Sequence, residues 1–302
     1  MSLSQIADLL LADQRLTLVD VGAAGGLHSR WQPIRNHLRL IGFEPLDPQS
    51  DDGTTLTLPF ALGSSERPGE LLVTKRVSMT SLLPPAAELL NRFWDKPGHT
   101  QIVERLLVEL RRLDDLAAQN DFRPDMIKID VQGGEMDVLA GAEQCLRSSL
   151  LAAEIELSFI ERYEGLTTFA HVVARMEEWG FELFDLWRVK RYRHRNDAGI
   201  VNPGISKGLR AGRLAFCDTL FIRRDADLVE MAATDRRQAA KLIIIALTYG
   251  KADVAARFHD LSRGLFDAQA NAALDRYFKG LSGRHFGLRG VHRALDYLAS
   301  KV

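Results

Sequence analysis

Two hydrophobic periods alternate along most of the chain. Short apolar runs rich in β-branched or aromatic residues, bounded by Gly, Pro or Asp, predict strands. They fall at Leu16–Val21, Arg39–Glu44, Thr54–Phe60, Met126–Val131, Ala152–Ser158, Phe181–Leu186 and Leu214–Arg223. Between them the apolar period lengthens. Over Glu135–Arg147, the residues Val138, Leu139, Ala142, Cys145 and Leu146 share one face at helical spacing. His171–Gly180 repeats the pattern, with Gly180 at a C-cap position. Alternating strand and helix predict an α/β fold, a mostly parallel sheet with helices on both faces.

After Arg224 no strand of this kind follows. Leu274, Tyr277, Phe278 and Leu281 have helix spacing, and so do Val291, Ala294, Leu295 and Leu298. The pattern predicts one domain over residues 1–224 and a helical C-terminal extension over 225–302. The apolar stripes of the extension serve either as core or as the surface of a homodimer. The run Leu242–Leu247 fits a helix or a short buried strand, because periodicity does not separate the two.

Composition narrows the classes. Apolar residues make up 46% and charged residues 26% of 302, the balance of a soluble globular chain. The net charge of -1, from 39 cations and 40 anions, lacks the footprint of a strongly basic nucleic-acid binder. Cys145 and Cys217 have no metal-ligand spacing and read as buried thiols; no metal is expected. The N-terminal segment carries acids and no basic stretch, unlike a secretion signal, and no apolar run is long enough to span a bilayer. A cytoplasmic location is the expectation.

Candidate chemistry begins where the first strand ends, in LVDVGAAGG, residues 18–26. Glycine there permits positive φ and close approach of a ligand to the backbone. The spacing does not fit the G-x-G-x-x-G of dinucleotide sites, and no Gly-Lys-Ser/Thr follows. Asp20, before the first glycine, repels a pyrophosphate and suits a ligand with a cationic group. S-adenosylmethionine carries a sulfonium and an amino-acid end. At the end of the second expected strand, Glu44 is placed to accept hydrogen bonds from ribose hydroxyls; an acidic loop residue beside Pro45 is the alternative.

The segment IKIDVQGGEMDVLAGAE, residues 127–143, resembles the signature of FkbM-type methyltransferases. VDVGAAGG, LGSSERPGELLV, SMTSLL and LRRLDDL precede it in the family's order, so the resemblance covers roughly residues 17–160 and continues more weakly to FCDTLFIRR. It implies a class I, Rossmann-like methyltransferase fold: seven strands, the last antiparallel, with S-adenosylmethionine as cofactor. The subgroup resembled acts around saccharide biosynthesis. Carried over by residue, Asp20, Gly22 and Gly26 would hold the methionine end and the adenosyl ribose, Glu44 the ribose, and Asp130 would face the methyl donor. Two departures stand out. Ala24, within the cofactor loop, sits where the family often has Asn, and Gln132 where it often has Glu.

Methyl transfer to oxygen chiefly requires positioning of two reactants and exclusion of water, with a general base where the acceptor is a hydroxyl. Asp130 is the candidate base; a carboxylate that only bonds the cofactor is the alternative. Glu154 and Glu156 point to one side of the fifth strand, and Glu156 lies nearer the expected cleft. His28 is a second candidate base or a helix N-terminal hydrogen-bond partner. Tyr163 is a candidate wall of the acceptor pocket. The run WRVKRYRHR, Trp187–Arg195, holds five Arg or Lys. From it Arg191 and Arg193 are expected to grip an anionic acceptor, such as a sugar nucleotide, a lipid-linked saccharide or an acidic glycan; a solvated charged face is the alternative. The leading expectation is an S-adenosylmethionine-dependent O-methyltransferase acting on a sugar, glycan or related metabolite. A scaffold that kept the fold and lost activity, favoured by Ala24 and Gln132, and an RNA methyltransferase, favoured by the basic run, are the alternatives. A nicotinamide oxidoreductase is disfavoured by the glycine spacing.

Overall fold

The seven expected strands all form, the sixth running on past Leu186 to Tyr192 and so taking in most of the basic run, and others join them. In the computed structural model, which describes residues 1–23, 26–47, 49–201 and 211–281, the strands run in this order. They are β1 (Leu16–Val21), β2 (Leu38–Phe43), β3 (Ser50–Asp51), β4 (Thr55–Leu58), β5 (Ala61–Leu62), β6 (Arg67–Thr74), β7 (Ile102–Arg111), β8 (Met126–Ile129), β9 (Ala152–Ser158), β10 (Phe181–Tyr192) and β11 (Arg213–Arg223). The main sheet has eight strands in the order β10-β11-β9-β8-β1-β2-β4-β3. The count exceeds the expected seven by the two-residue edge strand β3, which pairs antiparallel with β4. Strands β4, β2, β1, β8 and β9 are mutually parallel. β11 runs antiparallel to both its neighbours, β9 and β10, as the last strand of the expected fold should.

Alternation along the strands gives the sheet two unlike faces. Val19, Val21, Ile41, Phe43, Ile127, Ile129, Ile155 and Leu157 belong to one buried apolar cluster. Helices α4 (Leu113–Gln119), α5 (Glu135–Ala140), α6 (Glu143–Ser148) and α7 (Phe169–Glu178) cover that face through Leu116, Leu139, Leu146 and Met176. They follow the short α1 (Leu3–Leu10), α2 (Ala87–Leu90) and α3 (Lys96–His99) in the chain. The opposite face carries Asp20, Lys128, Glu154, Glu156 and Asp218 in adjacent registers.

Three local expectations change. The single helix over Glu135–Arg147 is two helices that bend at Gly141. A Cβ there would overlap the Gly63 carbonyl, so the bend lets two backbones meet. A second sheet, in the order β5-β7-β6, was not anticipated. Its long pair β6–β7 is antiparallel, and β7 mixes charged residues with apolar ones that range from the buried Leu110 to Leu107, 86% exposed. Leu242–Leu247 is helical, inside α9 (Arg236–Thr248), which follows α8 (Asp225–Thr234). Asp235 caps α9 by accepting from the backbone N–H groups of Arg237 and Gln238.

The chain divides into two compact units, Leu11–Met231 and Met1–Leu10 with the chain from Ala232 onward. The second unit is helical in its described residues: α1, α9, α10 (Ala252–Ser262) and α11 (Ala268–Leu281), with α1 packed on α9 and α11. The stripe of Val291, Ala294, Leu295 and Leu298 lies outside the described residues. Among the described residues, no helix is long and apolar enough to cross a membrane.

Candidate active site

The chain leaves β1 at Val21 and turns at Gly22, where φ is +80°. Asp130 N donates to Val21 O at 3.1 Å, pinning the end of β8 against this turn. A Cβ on Gly22 would overlap the Asp130 carbonyl. Only glycine meets both the left-handed angle and the close approach. Gly22 N also donates to Phe43 O at 3.1 Å, so the carboxyl ends of β1, β2 and β8 meet at one point. A cavity of about 710 Å³ opens there, with Gly22, Phe43, Glu44, Phe60, Asp130 and Gln132 in its walls. The second sheet and the segment after it close another side through Leu71, Val73, Val77 and Thr80. Open α/β sheets bind ligands in this position, beyond the carboxyl ends of their strands.

Gln132 organises the centre of the cavity floor. Its φ of +57° is left-handed, and the Ser81 hydroxyl donates to its carbonyl at 2.7 Å. The side-chain Nε2 donates to Asp130 Oδ1 at 2.7 Å and to Glu156 Oε1 at 3.0 Å. Its Oε1 accepts from the Tyr163 hydroxyl at 3.2 Å. This orientation is the one that satisfies the neighbours, since two carboxylates need donors and the phenol has a proton to give. Glu156 also pairs at 2.8 Å with Arg162, which is only 2% exposed. Burial, followed by the charge of Asp130, pushes the Glu156 carboxyl up to about 7, with Arg162 opposing.

The remaining polar face is charge-paired. Lys128 Nζ lies 3.0 Å from Asp20, Arg30 lies 3.1 Å from Glu154, and Arg188 lies 2.8 Å from Asp218. Burial raises the Asp20 and Asp218 carboxyls, against the pull of Lys128 and Arg188 respectively. Burial alone would lower Lys128, but Asp20 and Asp130 outweigh it, and the ammonium is held above its ordinary value. Buried charges persist when each has a hydrogen-bonded partner.

The expected residues separate into groups. Gly22, Glu44 and Asp130 line the cavity together. Glu44 accepts from Leu46 N at 3.3 Å, which orients its carboxylate at the end of β2. Gly26 has φ of +76°, as the turn requires; Ala24 lies outside the described residues. Asp20 is 3% exposed and holds Lys128 instead of lining the cavity. Glu156 is also buried and reaches the cavity through Gln132. His28 caps the 3₁₀ segment Ser29–His37: its Nδ1 accepts from Arg30 N at 3.3 Å, so that nitrogen is already engaged. Burial, then Arg30, lowers its pKa. Tyr163 is fully buried, with its hydroxyl shared between Met79 O and Gln132, and does not form an open wall. Arg191 donates to Gly212 O at 3.2 Å, and neither it nor Arg193 lines this cavity.

Sequence reading passed over Lys128, Arg162 and Ser81, and treated Gln132 only as a departure. Lys128 was within reach of the pattern, because it lies two residues before Asp130 and so shares its side of the strand. Ser81 lies within the SMTSLL segment of the resemblance and Arg162 beside Tyr163, but only the fold shows what each of them touches.

The cavity suits an adenosyl ligand with a positive charge. Phe43, Leu46, Phe60 and Leu62 supply apolar walls, and Glu44 and Asp130 supply carboxylates. Among the described residues, the cation in its walls, Arg67, is already paired with Asp137 at 2.9 Å, which leaves nothing to hold a pyrophosphate.

Comparison with known proteins follows the same line. Residues 20–183 match the family model of the methyltransferase FkbM domain. No curated protein matches the chain. Among solved structures, methyltransferase FkbM from Methylobacillus flagellatus KT is similar, with 14% identity and a TM-score of 0.37. The match covers 72% of this chain and 47% of that one, so this chain spans about half of its length. The 1,6-didemethyltoxoflavin-N1-methyltransferase of Burkholderia thailandensis, with bound 1,6-didemethyltoxoflavin and S-adenosylhomocysteine, matches at 10% identity. There 74% of this chain and 77% of that one are covered, with a TM-score of 0.31. The 16S rRNA (adenine(1408)-N(1))-methyltransferase of Catenulisporales acidiphilia matches at 12% identity over 74% and 92% of the two chains, with a TM-score of 0.30.

Proposed function

The chain belongs to the methyltransferase FkbM family and takes S-adenosylmethionine as its methyl donor, and we propose that it methylates a hydroxyl of a sugar, glycan or related metabolite. The observation that carries this reading is Asp130. Its carboxylate lines the cavity beside the Gly22 turn and accepts a hydrogen bond from Gln132. Phe43, Leu46 and Phe60 would flank the adenine, Glu44 would accept from the ribose hydroxyls, and Gly22 would admit the ligand to the backbone. The cofactor supplies an electrophilic methyl group on a good leaving group. The chain's own residues then have to orient the acceptor hydroxyl, take its proton and keep water out. Asp130 is the group that takes the proton. Gln132 fixes the direction in which that carboxylate faces. Glu156, raised by burial and coupled to Asp130 through the amide of Gln132, is the adjoining proton reservoir. Asp20 and Lys128 hold β1 and β8 in register beneath the ligand.

The proposed methyltransferase domain is the sheet unit, with the helical extension as a separate element that offers a homodimer surface. The acceptor is anionic in this reading, with Arg191 and Arg193 on its path. The test is a methyl-transfer assay with isotopically labelled S-adenosylmethionine against a panel of saccharides and sugar nucleotides. Label appearing on a hydroxyl, and lost in Asp130→Asn, supports the reading. Transfer only to nitrogen acceptors would contradict it.

A further inference from the structure

A second cavity, of about 600 Å³, is lined by Lys75, Arg76, Asp95, Gly98 and His99. The segment spanning residues 73–77 borders both cavities. Val73 and Val77 line the donor cavity, and Lys75 and Arg76, between them in sequence, line the second. We propose that this second cavity is the seat of a phosphate or diphosphate group carried by the methyl acceptor. The assignment to the acceptor rests on the function proposed above; the anion site itself does not.

Backbone hydrogen bonds gather cations from three segments at this corner. Arg76 N donates to His99 O at 3.1 Å and Lys75 N to Gln101 O at 2.8 Å. Trp94 N donates to Arg193 O at 2.9 Å, and Arg195 N to Arg92 O at 2.9 Å, which brings the end of the basic run, just past β10, beside the segment that leads into α3. Lys96 Nζ stands 4.3 Å from the centre of the Tyr192 ring. Burial lowers its pKa and Arg76 adds to the fall; Asp95 opposes it, and Arg162 and Arg193 deepen it further.

Asp95 alone offsets part of this charge. Across the rest of the surface Arg39, Arg67, Arg105, Arg111 and Arg147 each pair with a carboxylate. Among the described residues, Lys75, Arg76, Lys96 and Arg193 make no ion pair, and Asp95 is the one acid in the cavity wall. His99 Nδ1 is buried without a hydrogen-bond partner. Like charges brought together cost free energy that an anion with several oxygens removes. Lysine, arginine and histidine donors converging from different directions suit a phosphate group. S-adenosylmethionine carries no phosphate, and Arg67 in the donor cavity's wall is paired with Asp137, so the anion belongs to another ligand.

The test is calorimetric titration of the full chain with inorganic pyrophosphate and with uridine diphosphate, beside S-adenosylhomocysteine as the control for a folded donor site. Wild type should bind both anions, in competition with each other. The exposed double variant Lys75→Ala/Arg76→Ala should weaken both by about tenfold or more, while Arg147→Ala, on a distant helix, leaves both unchanged. S-adenosylhomocysteine affinity should be the same in all three proteins. Wild type that binds S-adenosylhomocysteine but neither anion, or a double variant that keeps its anion affinity, would overturn the site and leave the methyltransferase reading intact. Pyrophosphate binding without uridine diphosphate binding would make the occupant a free inorganic anion and overturn its assignment to the acceptor. Loss of S-adenosylhomocysteine binding in folded wild type would instead strike the proposed function.

Discussion

Gln132 is joined to Glu156 by a 3.0 Å hydrogen bond from Nε2 to Oε1, across 24 positions of sequence. The same nitrogen reaches Asp130 at 2.7 Å. An amide therefore stands between two carboxylates, where its positive edge favours both in their charged forms.

Gln132→Glu puts a third carboxyl group at this point. Protonated, it still offers one donor; ionised, it repels both neighbours. Its pKa is raised in the folded state, so the variant's deficit grows with pH. The loss of stability should be small at about pH 5 and about 1–3 kcal/mol at about pH 8. Urea unfolding of both proteins at the two pH values measures it, and an equal loss at both would contradict the arrangement.

Glu156 makes a separate pH prediction. Burial first, and the charge of Asp130 second, push its carboxyl up from 4.5 to about 7. The folded state then holds a proton that the unfolded chain has released between these values. Stability from this group is full below about 4.5, falls as pH rises, and is level above about 7. Glu156→Gln cannot titrate. The stability of wild type relative to the variant should fall by up to about 3 kcal/mol across that window. A difference that stays flat from acid to neutral pH would mean that Arg162 keeps Glu156 charged throughout.

At Gly22 the backbone is the subject. Gly22→Ala meets a φ of +80° and the Asp130 carbonyl at once. It should destabilise the protein by about 1–3 kcal/mol and displace the end of β8. Thermal unfolding reads the first effect, and S-adenosylhomocysteine titration the second, as weaker binding at a temperature where the variant is folded. Wild-type affinity in the variant would separate the Gly22 turn from the donor site.

Fold and donor site were legible in the sequence for a common reason. Leu16–Val21 and Ala152–Ser158 are buried strands whose apolar runs end sharply, and both form over the expected residues. Gly22, Glu44 and Asp130 mark strand ends, where a glycine or an acid in an apolar context stands out. The pair β6–β7 was not legible, because one side of it faces solvent and Leu107 breaks the apolar–polar alternation that would have revealed it. Tyr163 reads as a pocket residue by position, yet its partners Met79 and Gln132 lie 84 and 31 residues away, and only the folded chain shows them to bury it. Asp20 reads as a ligand contact from its place before Gly22, and only the folded chain shows that it also holds Lys128, 108 residues distant.

The central claim is that the cavity at the ends of β1, β2 and β8 binds the adenosyl donor. Calorimetric titration of S-adenosylmethionine and S-adenosylhomocysteine into wild type and Glu44→Ala tests it most directly. The account predicts binding of both ligands to wild type and a loss of about tenfold to a hundredfold in the variant, from removed hydrogen bonds to a charged acceptor, with unchanged unfolding behaviour. Folded wild type that binds neither ligand, or a Glu44→Ala variant with wild-type affinity, would contradict it.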